Sequence, residues 1–258
     1  MKPKPPHIIS KPWLWTLLFL LLLPKCASCG EVWEYSVKYL GMTVVRATGH
    51  LERISYEGNT EVDHLLLKAK STRVYSLLYR VDNEYETFID HETGYPIRYL
   101  RRINEGSIRG NFTTNFDQQR EVAIYDSVDE VKLLEKSHDF FSAILCLRKQ
   151  KLDLGDTYIF SLNVDRYDWE VTVKVTEEKK YKIDKSTLPA KVLEVRFRYL
   201  GPASKPNIDT DILTYYLVDE RAKLKIFLSD DKNRLPLRLE YKLWPFSVKA
   251  SLNHLPTR

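Results

Sequence analysis

Ser137–Lys149, SHDFFSAILCLRK, decides how the rest of the 258-residue chain is read. It is the one stretch with a clear helical pattern among many strand patterns. Ser137 or Asp139 is placed to cap its start, and Asp139 puts negative charge at the positive end of the helix dipole. Arg148, Lys149 and Lys151 sit at the other end, where cations are favoured. Between them Phe140, Phe141, Ala143, Ile144, Leu145, Cys146 and Leu147 cover almost the whole circumference, and a helix that is apolar all round is a buried one. About a dozen residues make a marginal helix alone in water, whereas each large apolar side chain removed from water contributes roughly 1.5–3 kcal/mol. The expectation is a helix that fills the concave face of the surrounding β-structure. Gating of an apolar cavity is the functional alternative. Cys146, on this helix, reads as a small core residue and not as a reactive thiol.

Outward from the helix, strands alternate cleanly on both sides. Before it, Trp33, Tyr35, Val37 and Tyr39 share one face, and Gly41 turns the chain into 43–48. Weaker strands follow at 50–56 and 61–70, and Asp82-Asn83 is expected as a turn within 74–89. Ile97, Tyr99 and Ile103 oppose Arg98 and Arg102, then pair across Asn104-Glu105-Gly106 with Ile108, Phe112 and Phe116 as a hairpin. Residues 121–125 offer one more strand. After the helix, Tyr158, Phe160, Leu162 and Val164 answer Trp169, Val171, Val173 and Val175 across an Asp165–Asp168 turn. Further strands are expected at 192–200, 213–218, 223–228, 235–243 and 246–252, with 201–207 as a surface loop. About a dozen strands, each with one apolar and one polar face and short turns between them, argue against a parallel α/β layout. The expected fold is mainly β: a single curled antiparallel sheet, open or half-barrel-like, wrapped around one buried α-helix.

At the N-terminus, Lys2, Lys4 and Lys11 precede the apolar run Trp13–Leu23, and small residues follow at Ala27, Ser28 and Gly30. Basic, apolar, then small is the layout of a secretory signal. Eleven residues reach about 17 Å as a helix against a bilayer core of about 30 Å, which favours cleavage over a retained anchor. Cys26-Ala27-Ser28-Cys29 resembles a bacterial lipobox, in which the last Cys carries lipid, although Cys26 stands where a Leu-like residue is usual. Ordinary cleavage without lipid is the other reading; Cys29 has no other evident role. The domain division is thus 1–28 as signal peptide and 29–258 as one β-rich domain. The net charge is +5, and residues 1–28 hold four lysines and no acid, so +1 remains for the mature part. With neither a basic domain nor a nucleic-acid motif, nucleic acid is not an expected partner.

Tyr35–Gly41 (YSVKYLG), Asp139–Arg148 (DFFSAILCLR) and Leu228–Leu239 (LSDDKNRLPLRL), supported by LDLGDTYIF at 152–160, together resemble the bacterial exported family filed as domain of unknown function 3108. The resemblance spans nearly the whole mature part. It implies an envelope protein with a long antiparallel sheet around a helix, similar in shape to open-barrel lipoprotein carriers, and it assigns no activity and no catalytic residue. Arg46 stands where that family has a small residue or Gly, so the first hairpin is expected to differ.

Motif by motif, no nucleophile elbow, dinucleotide loop, phosphate loop or metalloprotease helix occurs, and the six histidines lack ligand spacing. No catalytic, cofactor or metal residue is therefore assigned. Asp230-Asp231 reads as a strand-ending turn, with the further expectation that one of the pair meets Arg148 and, with Asp139, locks helix to sheet. The functional expectation is a non-enzymatic module of the periplasm or cell envelope, with an outer-membrane lipoprotein tethered through Cys29 as one form of it. It would hold a lipid or other amphipathic ligand in the concave face. An assembly factor docking another envelope protein is the alternative, and a glycan-active hydrolase is third.

Overall fold

The computed structural model describes residues 30–201, 211, 214, 218–243 and 246–256. The signal segment, Cys29, residues 202–207 of the expected loop and most of the expected strand at 213–218 lie outside them. The first half comprises β1 (Glu31–Tyr39), β2 (Met42–Tyr56), β3 (Thr60–Ser71), β4 (Asp82–Asp90), β5 (Pro96–Glu105), β6 (Ile108–Asp117), β7 (Val122–Tyr125) and β8 (Asp129–Lys132). After the two-residue β9 (Ser137–His138) comes the helix, α1 (Phe140–Lys149). The second half comprises β10 (Thr157–Val164), β11 (Tyr167–Ile183), β12 (Ser186–Tyr199), β13 (Lys223–Ser229), β14 (Pro236–Leu243) and β15 (Phe246–Leu252).

Among the described residues all fifteen strands belong to one sheet, in the order β8 back to β1, then β15 back to β9. Neighbours are antiparallel, apart from β9, which runs parallel to β10. Laid flat at about 4.8 Å per strand, the sheet would be about 67 Å wide. Its two outermost strands, however, are joined by residues 133–136 alone, and the five steps from Lys132 to Ser137 reach about 18 Å at most. The sheet must therefore curl until its edges approach, and it remains open because those edges do not pair into a closed barrel.

Side chains hold the approach. Tyr125 on β7 donates its hydroxyl to Asn163 on β10, and Arg166 bonds Asp129 on β8 at 2.9 Å while its guanidinium lies over the Tyr125 ring. Deeper in, Arg101 on β5 pairs with Asp165 and, at 3.1 Å, with Asp211. Asp165 and Arg166 form the β10–β11 turn with φ of 49° and 72°, a left-handed pair more usual for Asn-Gly. The strain sits where one residue must point inward to Arg101 and the next across to Asp129.

The helix divides its sides. Phe141 and Leu145 join one buried cluster with Trp33, Tyr35, Leu65 and Tyr85. Ala143 and Leu147 join a second with Trp169, Val171, Leu193 and Leu224. Each pair is spaced i, i+4 on one face. Asp139 is the cap, accepting from the backbone N–H of Phe141 and Ser142 and, through its other oxygen, from the Thr87 hydroxyl of β4 at 2.9 Å. Ser137, the other capping candidate, lies in β9 instead. Cys146 is half-buried and lines a cleft, which corrects its core placement.

Several boundaries differ from expectation. Residues 43–56 form one strand, because Gly49 lets the Trp33 indole lie across β2; a Cβ there would come within 2.8 Å of the ring. Arg46 points outward, and the β1–β2 hairpin forms with only a bulge at Val37/Lys38. Asp82-Asn83 starts β4 and is no turn, since the Asn83 amide is held inside by Glu105 at 2.6 Å and by the Asn104 N–H. β8 and the outer parts of β11 and β12, polar on both faces, carry no alternation to read.

Replacing Arg101 by Met should strand two buried carboxylates and lower stability by about 3–5 kcal/mol. Urea titration measures it; a loss below about 1 kcal/mol would show that the edges hold without this ion pair.

Candidate functional site

Two groups of polar side chains compete as the site. The first is interior. Alternation on β4 and β5 turns Asn83, Tyr85 and Thr87, then Arg101 and Glu105, to the buried side. Arg101 donates to Asp165, to Asp211 and to the Thr214 hydroxyl, and its guanidinium stacks 5.1 Å from the Phe112 ring. Asp211 in turn accepts from Tyr85 at 3.3 Å and from the Thr214 N–H at 2.7 Å. Burial, reinforced by the Asp211 charge, raises the Tyr85 phenol well above its ordinary range, so it stays a neutral donor. The space beside this network is about 20 Å³, room for about one water. It is a filled joint.

The second group lies where the last turn of α1 meets the start of β1, the β2–β3 hairpin and the β13–β14 turn. Two adjoining clefts of about 300 and 340 Å³ share Asp63, Leu145 and Lys149. Lys149 bonds Asp63 at 3.1 Å, His91 bonds the same carboxylate at 3.0 Å, and Arg53 approaches it at 3.6 Å. Burial pushes the Asp63 carboxyl up, but the hydrogen bonds from His91 and Lys149 outweigh it and hold it below its usual range. Leu51 and Leu145 supply apolar lining in the first cleft, Ile89 in the second. The Cys146 thiol, which faces the second, is pushed up by burial and stays protonated.

The expected pairing of Arg148 with Asp230 or Asp231 does not form. Arg148 donates to Glu31 at 2.7 Å and to the Asn233 carbonyl at 2.8 Å, and its guanidinium lies 5.1 Å from the Trp33 ring. Asp230 instead meets Lys191 at 3.4 Å. Asp231 accepts from Ser229, Asn233 and Arg234 inside its own turn, and so presents the Asn233 carbonyl that Arg148 uses. Asp139 ties the helix start to β4, as described above.

The family model described as "Protein of unknown function (DUF3108)" matches residues 34–253. The chain belongs to that family. No curated protein matches it. Among solved structures it is similar to the crystal structure of a beta-barrel-like protein of domain of unknown function DUF1849 from Brucella abortus. That likeness has a TM-score of 0.54 at 11% identity and covers 89% of this chain and 97% of the other. At that identity it speaks for the fold alone.

Arg101 and Asp63 were not singled out from the sequence. Arg101 has the same parity as Tyr99 and Ile103 and so stood at an inward position, whereas Asp63 sits in a weak strand whose pattern gives no sign of a cleft. Among the described residues no group of three or more His, Cys, Asp or Glu could hold a metal ion.

Two outcomes follow from these contacts. Arg148→Met should cost about 2 kcal/mol, through loss of a charged hydrogen-bond pair and its packing on Trp33, while Asp230→Asn should stay within the range of a surface change; equal melting temperatures for all three proteins would refute the lock. His138, 2% exposed between the Tyr95 and Phe160 rings, is pulled by burial down to about 4. A histidine that is neutral when folded and protonated when unfolded loses stability as pH falls from about 6.5 towards 4, by about 2–3 kcal/mol at pH 4.5. Asp139, pushed up mainly by burial, acts in the opposite sense. His138→Gln should therefore flatten the acid limb in urea unfolding at pH 7 and 4.5; an unchanged limb would exclude this histidine as its cause.

Proposed function

We propose that this protein is an exported bacterial cell-envelope module, tethered through Cys29, that binds an amphipathic molecule with an anionic head and does not transform it. The observation that carries the reading is the pair of clefts on either side of the Lys149–Asp63 contact, each within the roughly 300–1,000 Å³ of small-molecule sites. Arg53, Lys149 and Lys232 offer positive charge there beside the acids Glu31, Glu52 and Asp63, while Leu51 and Leu145 offer apolar lining. An anionic head that took Lys149 from Asp63 would join the two clefts into one. This reading puts the ligand at the helix end and not beside the Arg101 network, where the cavity among the described residues is about 20 Å³.

Two observations weigh against the other readings. Both outer strands are short and polar, DEVK in β8 and two residues in β9, which gives an added partner strand little to pair with. A glycan-active hydrolase needs a carboxyl held high as proton donor, whereas Asp63, at the centre of the clefts, is held low.

Native mass spectrometry of protein released from membranes reads tether and ligand together. The expected species begins at a lipid-modified Cys29 and carries a bound small molecule that Arg53→Glu with Lys149→Glu abolishes. Bare polypeptide in the wild type would refute the ligand, and retention of residues 1–28 would refute the tether.

A further inference from the structure

At the end of the sheet opposite the helix exit, the chain between β3 and β4 displays large apolar side chains. Val74 is 78% exposed, Leu77 86% and Leu78 84%. Leu40 and Met42, in the β1–β2 turn, are 74% and 64% exposed. The two features share one rim, because Thr72 bonds the backbone of Val44 and, through its hydroxyl, of Thr43. Leu40 holds a φ of 50°, in a turn where Asn or Gly would be ordinary.

This exposure is built into an ordered segment. Residues 75–77 form a 3-10 turn closed by the Leu78 and Tyr79 N–H groups on the Tyr75 carbonyl. On one side Ser71 bonds Val81, and on the other the Gly106 N–H bonds the Arg80 carbonyl. The Tyr79 ring lies against Gly106, where a Cβ would come within 2.8 Å. A rigid turn thus presents three aliphatic side chains that touch no core.

The charge around them is basic. A groove of about 480 Å³ beside the turn is lined by Lys70, Arg73, Ser76 and Arg80, with Asp82 as its acid. Asp82 meets Lys70 at 3.6 Å and Arg80 at 3.5 Å, long contacts on exposed side chains that are worth little. Half-buried Tyr75 and Tyr79 stand at the base of the tip. Apolar tip, aromatic base and cationic collar are the arrangement that seats a segment at an anionic membrane surface. A convex tip also fits a fluid interface better than it fits a rigid protein surface.

We propose that this rim docks on an anionic lipid surface, with Val74, Leu77 and Leu78 entering the acyl boundary and the groove between Lys70, Arg73 and Arg80 taking a lipid phosphate. The rim lies at the opposite end from the clefts, so the inference stands or falls apart from the ligand reading. Leu77→Trp in the full processed chain provides a depth readout that no N-terminal tether can mimic. In vesicles of phosphatidylcholine with about one third phosphatidylglycerol, brominated in the acyl chains, the introduced indole should be quenched. The quenching should fall at least tenfold in lipid affinity with Arg73→Glu and Arg80→Glu, and should be weak on pure phosphatidylcholine. Leu77→Asp with Leu78→Asp should release the rim from lipid while leaving the melting temperature unchanged. The proposal is overturned if the indole stays unquenched on bound protein, or if inorganic phosphate at matched ionic strength displaces the rim as a free-anion site would. It is equally overturned if the aspartate variant only dissolves a dimer in the absence of vesicles.

Discussion

Everything in this structure depends on holding the two outer edges of a sheet together without a backbone ladder. Curling is imposed by the five-step connection from β8 to β9, but the edges that meet there are too short to pair. Side chains take over that task. Tyr125 with Asn163, Arg166 with Asp129 and Arg101 with Asp165 each join an element of the first half to one of the second, and Thr87 with Asp139 ties the first half to the helix cap. A buried ion pair gives little net stability over a well-packed apolar contact, but removing one partner is costly. Arg101 is therefore better understood as fixing curvature than as adding strength.

With the edges fixed, the helix finds its place. Its cap, Asp139, is bonded to β4, and its two apolar faces join separate buried clusters. Its last turn meets Glu31 and the Asn233 carbonyl. The interior is then occupied by side chains, and open space is left near the helix exit. Val74, Leu77 and Leu78 stand exposed at the other rim.

Much of this was legible in the sequence, wherever one face is apolar and the other wet. Trp169–Val175 shows that alternation, and its inward members are all buried. The helix was legible because its caps and its apolar circumference agree. What escaped was polar. Arg101 follows the inward parity of its strand, yet a charged residue there reads as an interruption until Asp165 and Asp211 are beside it. Asn83 looks like a turn residue until Glu105 satisfies its amide. Arg148 was expected to meet Asp230 or Asp231 and meets neither; its contact in that turn is the Asn233 backbone carbonyl, which no sequence pattern marks. Order of strands was hidden too, because the pairing of β1 with β15 joins segments from opposite ends of the chain.

That pairing has a consequence for how the molecule comes into being. Tyr35 stands opposite Leu252, so the centre of the sheet is completed only once β15 has been synthesised. Until then β1 is a long unpaired edge of aromatic and aliphatic residues, open to the wrong neighbour. Contacts this distant along the chain form slowly. The half-made protein thus depends on being shielded or outpaced, and a chain stopped short of its final hairpin would be left with its middle missing and not merely its tail.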